Sequence, residues 1–207
     1  MTEPKKEIRA FCFEVRAEQN EEHGHFLTGQ PIVFNERTNL GKYDEIIESG
    51  ALTDTDLRDV RFLINHNTDM IPLARSRNNN ANSTMQLEVV DNGLNIRVDL
   101  DTENNSDARS LYSAVERGDI SGMSFMFMVR DYEWEDANSE HPTRHVRAID
   151  KVFEVSAVTF PAYEATSISV RGLSDALDSV LESLESERAR LAEIERRKQK
   201  IRILSEV

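Results

Sequence analysis

The chain has 207 residues, a formal net charge of −13 at pH 7 and a single cysteine, Cys12, so it suits one domain with an appendage and has no internal disulfide. The acidity argues against direct binding to DNA or RNA, where phosphate contacts demand clustered Lys and Arg. No apolar run is long enough to span a membrane and residues 1–7 (MTEPKKE) lack the apolar core of a secretory signal, so the chain is expected in the reducing cytoplasm where it is made.

Alternation of Ile8, Ala10, Cys12 and Glu14 against Arg9, Phe11, Phe13 and Val15 predicts a first strand over residues 8–16, and residues 26–34 give a second. Between them His23 and His25 flank Gly24, a spacing that holds a metal only loosely and suits a hairpin turn better. Residues 54–59 are expected to form a short helical turn. A short apolar strand, 60–64 (VRFLI), then closes on Asn65 and His66, and the asparagine-rich stretch 78–83 reads as a low-complexity loop. The clearest hairpin comes next: residues 85–90, an Asp91-Asn92-Gly93 turn, and residues 94–100.

Ala108, Leu111, Ala114 and Val115 share one face of a helix over 107–117, and Gly118 supplies its left-handed cap. After Gly122 the period changes to two, with Met123, Phe125, Phe127 and Val129 on one face and Ser124, Met126, Met128 and Arg130 on the other. Ser124 therefore projects from the start of a strand, where a turn residue is the bland explanation and a nucleophile the sharper one. Residues 136–144 read as an exposed loop, and Pro142 keeps His141 and His145 from forming the helical pair of a metalloprotease. The apolar strand 152–161 contains one carboxylate, Glu154, which must be paired, hydrogen-bonded or protonated if it is buried. From about residue 173 the chain is charged and helical. Leu177, Leu184 and Leu191 recur seven apart, Val180, Ile194 and Ile201 fill much of the alternate series, and Glu187 and Lys198 interrupt the seam.

Three segments taken together, an Asn-His pair closing an apolar strand, GDISGMSF (118–125) and FEVSAVTFPA (153–162), resemble the prohead (capsid-maturation) serine proteases of tailed bacteriophages. The resemblance covers roughly residues 8–170. It implies an α+β fold with a herpesvirus-protease-like β-barrel and surrounding helices, to which a C-terminal amphipathic helix is added. The corresponding division is a protease domain, 1–172, and a helical tail, 173–207.

The resemblance also implies Ser124 as nucleophile, His66 as general base and Glu154 as the carboxylate that orients the histidine, with Asp150 the alternative third member. That chemistry needs these residue types. A serine hydroxyl is a weak nucleophile until an adjacent base accepts its proton, and histidine is the usual base because its unperturbed pKa is about 6.5. A carboxylate on the far ring nitrogen fixes the tautomer and stabilises the imidazolium. Backbone N–H groups must meet the oxyanion, and the region of Gly122 and Met123 is a candidate source. Ser121 competes with Ser124 but lies in the turn, and Glu154 could instead belong to a structural ion pair.

The implied activity is a serine endopeptidase that works inside the immature capsid in the host cytoplasm. It would cleave scaffold, the N-terminal region of the major capsid protein, or both, and also itself, with self-association and without cofactor, metal, nucleic acid or membrane. The competing reading is a non-catalytic, protease-derived scaffolding protein that organises capsid subunits through its tail. The tail itself is either an amphipathic helix docked on the domain or a coiled coil with a second copy.

Overall fold

A computed structural model describes residues 6–11, 15–21, 24–159 and 173–205. In chain order the strands are β1 (Lys6–Phe11), β2 (Val15–Asn20), β3 (Gly24–Val33), β4 (Arg37–Asn39), β5 (Asp44–Ile47), β6 (Arg61–Ile64), β7 (Ala74–Arg75), β8 (Met85–Val90), β9 (Gly93–Leu100), β10 (Gly122–Glu135) and β11 (Thr143–Val158). Two helices accompany them, α1 (Ser106–Glu116) before β10 and α2 (Leu173–Ser205) at the end. The architecture is mixed α+β and mostly strand.

One sheet runs β1-β10-β11-β5-β4, with β6 also on β11 and β7 beyond it, and the other runs β2-β3-β9-β8. The spine is the antiparallel β10–β11 hairpin. Its long second strand takes β5 in parallel at the Thr143 end and β6 in parallel at the Val158 end. Inward side chains of both sheets share one core that includes Leu27, Ile32, Phe62, Leu94, Phe125, Phe127, Ile149 and Val155. The sheets touch at two flanks through backbone hydrogen bonds, Val15 N–H to Ser121 O (3.3 Å) and Thr84 N–H to Arg75 O (3.1 Å). No closed barrel is found among the described residues, because these bonds stitch two sheets rather than continue one ladder.

Local chemistry explains the elements nearest the site. Asn105 caps α1 by accepting hydrogen bonds from the Asp107 and Ala108 N–H groups, and Ala108, Leu111 and Val115 face the core. Gly118 ends the helix at φ +79°, the left-handed cap expected of it. The β8–β9 hairpin turns on Gly93, where a Cβ would lie 1.9 Å from Ile32 O, so any side chain would collide with β3.

Four expectations need correction or restriction. The first strand is two strands, β1 and β2, and Cys12, His23, Phe160 and Pro161 lie outside the described residues. Residues 54–59 are not helical: Asp56 bridges to Lys151 on β11, donating its N–H to Asp150 O (2.9 Å) and accepting from Lys151 Nζ (3.0 Å). The loop 136–144 is exposed only in part, since Ala137, Thr143 and Arg144 are buried. Of the two readings of the tail, the docked helix holds for the proximal part of α2 alone: Val180 and Leu184 are buried against Tyr43, Trp134 and Ala137.

That docking makes the two parts of α2 separable. Trp134 donates Nε1–H to Ser183 Oγ (3.3 Å), and Arg188 donates to Ala137 O (2.7 Å) and Ser139 O (3.0 Å). Beyond Leu191 the helix is exposed, including Ile194, Ile201, Ile203 and Leu204. A chain ending at residue 192 is expected to keep its urea-unfolding free energy within about 1 kcal/mol, as surface changes usually do. One ending at residue 172 should lose roughly 3 kcal/mol or more, the burial of Val180 and Leu184 being worth about 1.5–3 kcal/mol each. Equal stability of the two truncations would show that the docked contacts are dispensable.

Candidate active site

His66 stands just past the end of β6, where Asn65 and His66 both adopt left-handed backbone, φ 51° and 57°. Two such residues in succession store strain, and the neighbouring strand holds it. Asn65 N–H donates to Ala157 O (3.0 Å), while its side chain receives Thr159 N–H (2.9 Å) and donates to Thr159 Oγ1 (3.0 Å). The turn is therefore tied to the end of β11, and it swings the imidazole back over the sheet.

The register supplies the rest. Ser124 on β10 lies opposite Ser156 on β11, and Glu154 is two residues earlier on β11, hence on the same face. Because β6 pairs with β11 on its other side, with Ile64 opposite Ala157, the turn at 65–66 falls beside that face. His66 Nε2 is 2.5 Å from Ser124 Oγ, and His66 Nδ1 is 2.5 Å from Glu154 Oε1. An ionised carboxylate can only accept, so the arrangement that suits a general base has the proton on Nδ1, facing Glu154, and Nε2 as an acceptor facing the serine.

Ser124 is fully buried, with 0% exposure, and Glu154 retains 2%. The serine hydroxyl also donates to the main-chain oxygen of Arg9 on β1 at 2.6 Å. A hydroxyl has one proton, so the bond to Arg9 O and proton donation to Nε2 are alternatives. Rotation about Cβ–Oγ exchanges them. Gly122 and Met123 sit in the same ladder, opposite Val158 and Ala157.

Of the sequence-predicted residues, Ser124, His66 and Glu154 come together, and Asp150 does not: it is exposed, and its main-chain oxygen is bound by Asp56 N–H. Ser121 is exposed in the turn. His25 bonds Thr102 Oγ1 (2.8 Å) and meets Tyr112 edge to face, His141 bonds Asp44 (2.8 Å), and His145 lies between Glu48 (3.1 Å) and Glu135 (3.2 Å). Among the described residues no group of three His, Cys, Asp or Glu is placed to hold a metal ion.

Sequence reading missed the polar groups behind these three side chains. Ser156 Oγ–H donates to Glu154 Oε2 at 2.6 Å, and its position two residues after Glu154 in an apolar strand was the available signal. It also missed a buried ion quartet under Arg9. Arg9 bonds Glu45 (2.5 and 2.9 Å) and Glu7 (2.5 Å), and Arg144 bonds Glu7 (2.6 and 3.0 Å) and Glu45 (3.1 Å). Arg144 Nε finds no acceptor among the described residues, but the guanidinium lies over the Tyr132 ring, 4.4 Å from its centroid.

Burial by itself would push the Glu7 carboxyl up, but the charges and hydrogen bonds of Arg9 and Arg144 together outweigh it, leaving Glu7 below the ordinary value of 4.5. Burial pushes the neighbouring Tyr43 hydroxyl well above its ordinary 10.0, the Arg9 charge offsetting only part of that rise. A lowered carboxyl contributes stability that is present above its unfolded value and lost as pH falls. A raised phenol contributes stability that is present below its unfolded value and lost as pH rises. The urea midpoint is therefore expected to hold level from about pH 5 to about pH 9 and to fall on both sides. A midpoint that stayed level down to about pH 3 would contradict the quartet, and one that stayed level up to about pH 11 would contradict the burial of Tyr43 beside it.

Residues 12–179 match the family model described as caudovirus prohead serine protease. No curated protein is matched by the chain. Among solved structures, the bacteriophage T4 capsid assembly protease, gp21, aligns with a TM-score of 0.43 and 12% identity, covering 76% of this chain and 99% of that one.

Proposed function

Because this chain belongs to the caudovirus prohead serine protease family, we propose that it is a capsid-maturation endopeptidase in which Ser124 is the nucleophile, His66 the general base and Glu154 the orienting carboxylate. The observation that carries the reading is the unbroken Ser124–His66–Glu154 chain, with both links at 2.5 Å. Attack begins when the Ser124 proton turns from Arg9 O to His66 Nε2. The oxygen adds to the scissile carbonyl, and the imidazolium so formed is stabilised by Glu154. His66 then returns the proton to the leaving amine. A water, deprotonated in turn by His66, hydrolyses the acyl-enzyme.

Since Ser124 has no exposed surface and its hydroxyl is held by Arg9 O and His66, a peptide reaches it only after a local rearrangement. The same burial favours the second reading, a scaffolding protein whose inherited triad no longer meets substrate. Substrates on the first reading are scaffold, the N-terminal region of the major capsid protein, or both, together with the chain itself, and cleavage takes place within the immature capsid. The domain comprises residues 1–172, with its two flank-joined sheets as an opened counterpart of the herpesvirus-protease barrel. The tail, 173–207, packs on that domain through Val180 and Leu184, and its exposed part beyond Leu191 serves location and self-association.

The test is co-expression with the capsid protein of the same phage. A shortened capsid protein supports the protease. Full-length capsid protein in shells that assemble normally supports the scaffold.

A further inference from the structure

Behind the triad, one hydroxyl touches both the backbone of the base and the carboxylate that orients it. Ser156 Oγ accepts His66 N–H at 3.1 Å and donates its own proton to Glu154 Oε2 at 2.6 Å. The other carboxylate oxygen, Oε1, faces His66 Nδ1 at 2.5 Å. These contacts close a ring: His66 N–H to Ser156 Oγ, Ser156 O–H to Glu154 Oε2, Glu154 Oε1 to His66 Nδ1–H, and through the His66 side chain back to its own N–H.

Each link has a physical consequence. Glu154 is buried at 2% exposure, so an oxygen without a donor would leave the carboxylate poorly solvated, and Ser156, itself at 0% exposure, is the donor that Oε2 receives. His66 has left-handed backbone, φ 57°, and its N–H would be an orphan of that turn without Ser156 Oγ. Across β6 the register partner of Glu154 is Arg61, whose guanidinium reaches Asp59 at 3.3 Å, and across β10 it is the uncharged Met126.

We infer that Ser156 is a positioning residue for catalysis: its hydroxyl locks the rotamer of Glu154 and the strained turn of His66 into one unit, and so keeps Nε2 aimed at Ser124. The inference rests on the triad reading above. It adds a fourth group, which acts through His66 and Glu154 and touches no substrate. A hydroxyl is needed rather than any small side chain, because it must accept and donate at once.

The test measures the rate at which a small fluorophosphonate phosphonylates Ser124, as a function of pH, in the wild-type chain and in Ser156→Ala and Ser156→Cys. Ser156→Cys fills the space with a much weaker donor, so it serves if the alanine variant folds poorly. In the folded variants the plateau rate is expected to fall roughly 10- to 100-fold, the size of one hydrogen bond to a charged group. The acid limb of the profile should move to higher pH, since a carboxylate stripped of its donor binds the shared proton of the dyad more tightly. A role in packing alone would lower the melting temperature of Ser156→Ala and leave the pH profile of Ser156→Cys where it was, which overturns the inference. Absence of any Ser124 adduct in the wild-type chain overturns the triad reading itself, and the positioning role with it, whereas normal wild-type labelling with unchanged variants overturns the positioning role alone.

Discussion

Ser124→Ala is expected to leave full-length capsid protein and scaffold in co-expression while the variant folds and joins assembling shells normally. The loss of turnover should be on the order of 10⁴- to 10⁶-fold, as for other serine nucleophiles that act as a unit with their base. The stability cost is small by comparison. The hydroxyl makes one hydrogen bond to Arg9 O at 2.6 Å and one contact with His66 Nε2, and a deleted bond of this type costs about 1 kcal/mol. Capsid-protein length on a denaturing gel and a thermal melt of the purified variant measure the two effects. Complete processing by Ser124→Ala would move the nucleophile elsewhere, with the exposed Ser121 next to examine.

Arg144→Met is expected to be the most destabilising of the conservative-volume changes in the domain, lowering the unfolding free energy by about 3–5 kcal/mol. Glu7, Arg9, Glu45 and Arg144 balance one another in a buried space where each retains 5% exposure or less. Removing one cation leaves a carboxylate there without its full complement of donors, and that unpaired charge is the cost. The effect should spread to activity, because Arg9 provides the main-chain oxygen against which Ser124 rests. Urea unfolding of the variant checks the first part. A loss below about 1 kcal/mol would show that Glu7 finds other partners or protonates cheaply.

Much of the fold could be read locally. The Asn92-Gly93 turn, the α1 stripe with Gly118 behind it and the period-two face of β10 all depend on neighbours in sequence, and all stand as read. Non-local pairing was the obstacle. Nothing in 54–59 reveals that Asp56 lies against Lys151, so its charged pattern imitates a helical turn. Thr143 and Arg144 look like loop residues until β5 pairs beside them and Glu7 and Glu45 arrive from elsewhere in the chain.

The site shows the same division. Ser124, His66 and Glu154 could be named only because three separated segments together resemble one family. Their spacing alone contains no statement that β6 and β10 flank β11 at the same level. The register now gives a physical reason for the grouping. Ser156 was visible as a polar residue in an apolar strand, but its meaning depended on the left-handed turn at Asn65 and His66, which no periodicity encodes.

Activation of Ser124 by His66 is tested by peptide mapping by mass spectrometry after exposure to a fluorophosphonate. A single adduct is expected, on Ser124, in the wild-type chain, and none in a folded His66→Ala variant under the same conditions. An adduct on any other residue, or equal labelling of Ser124 without His66, would contradict it.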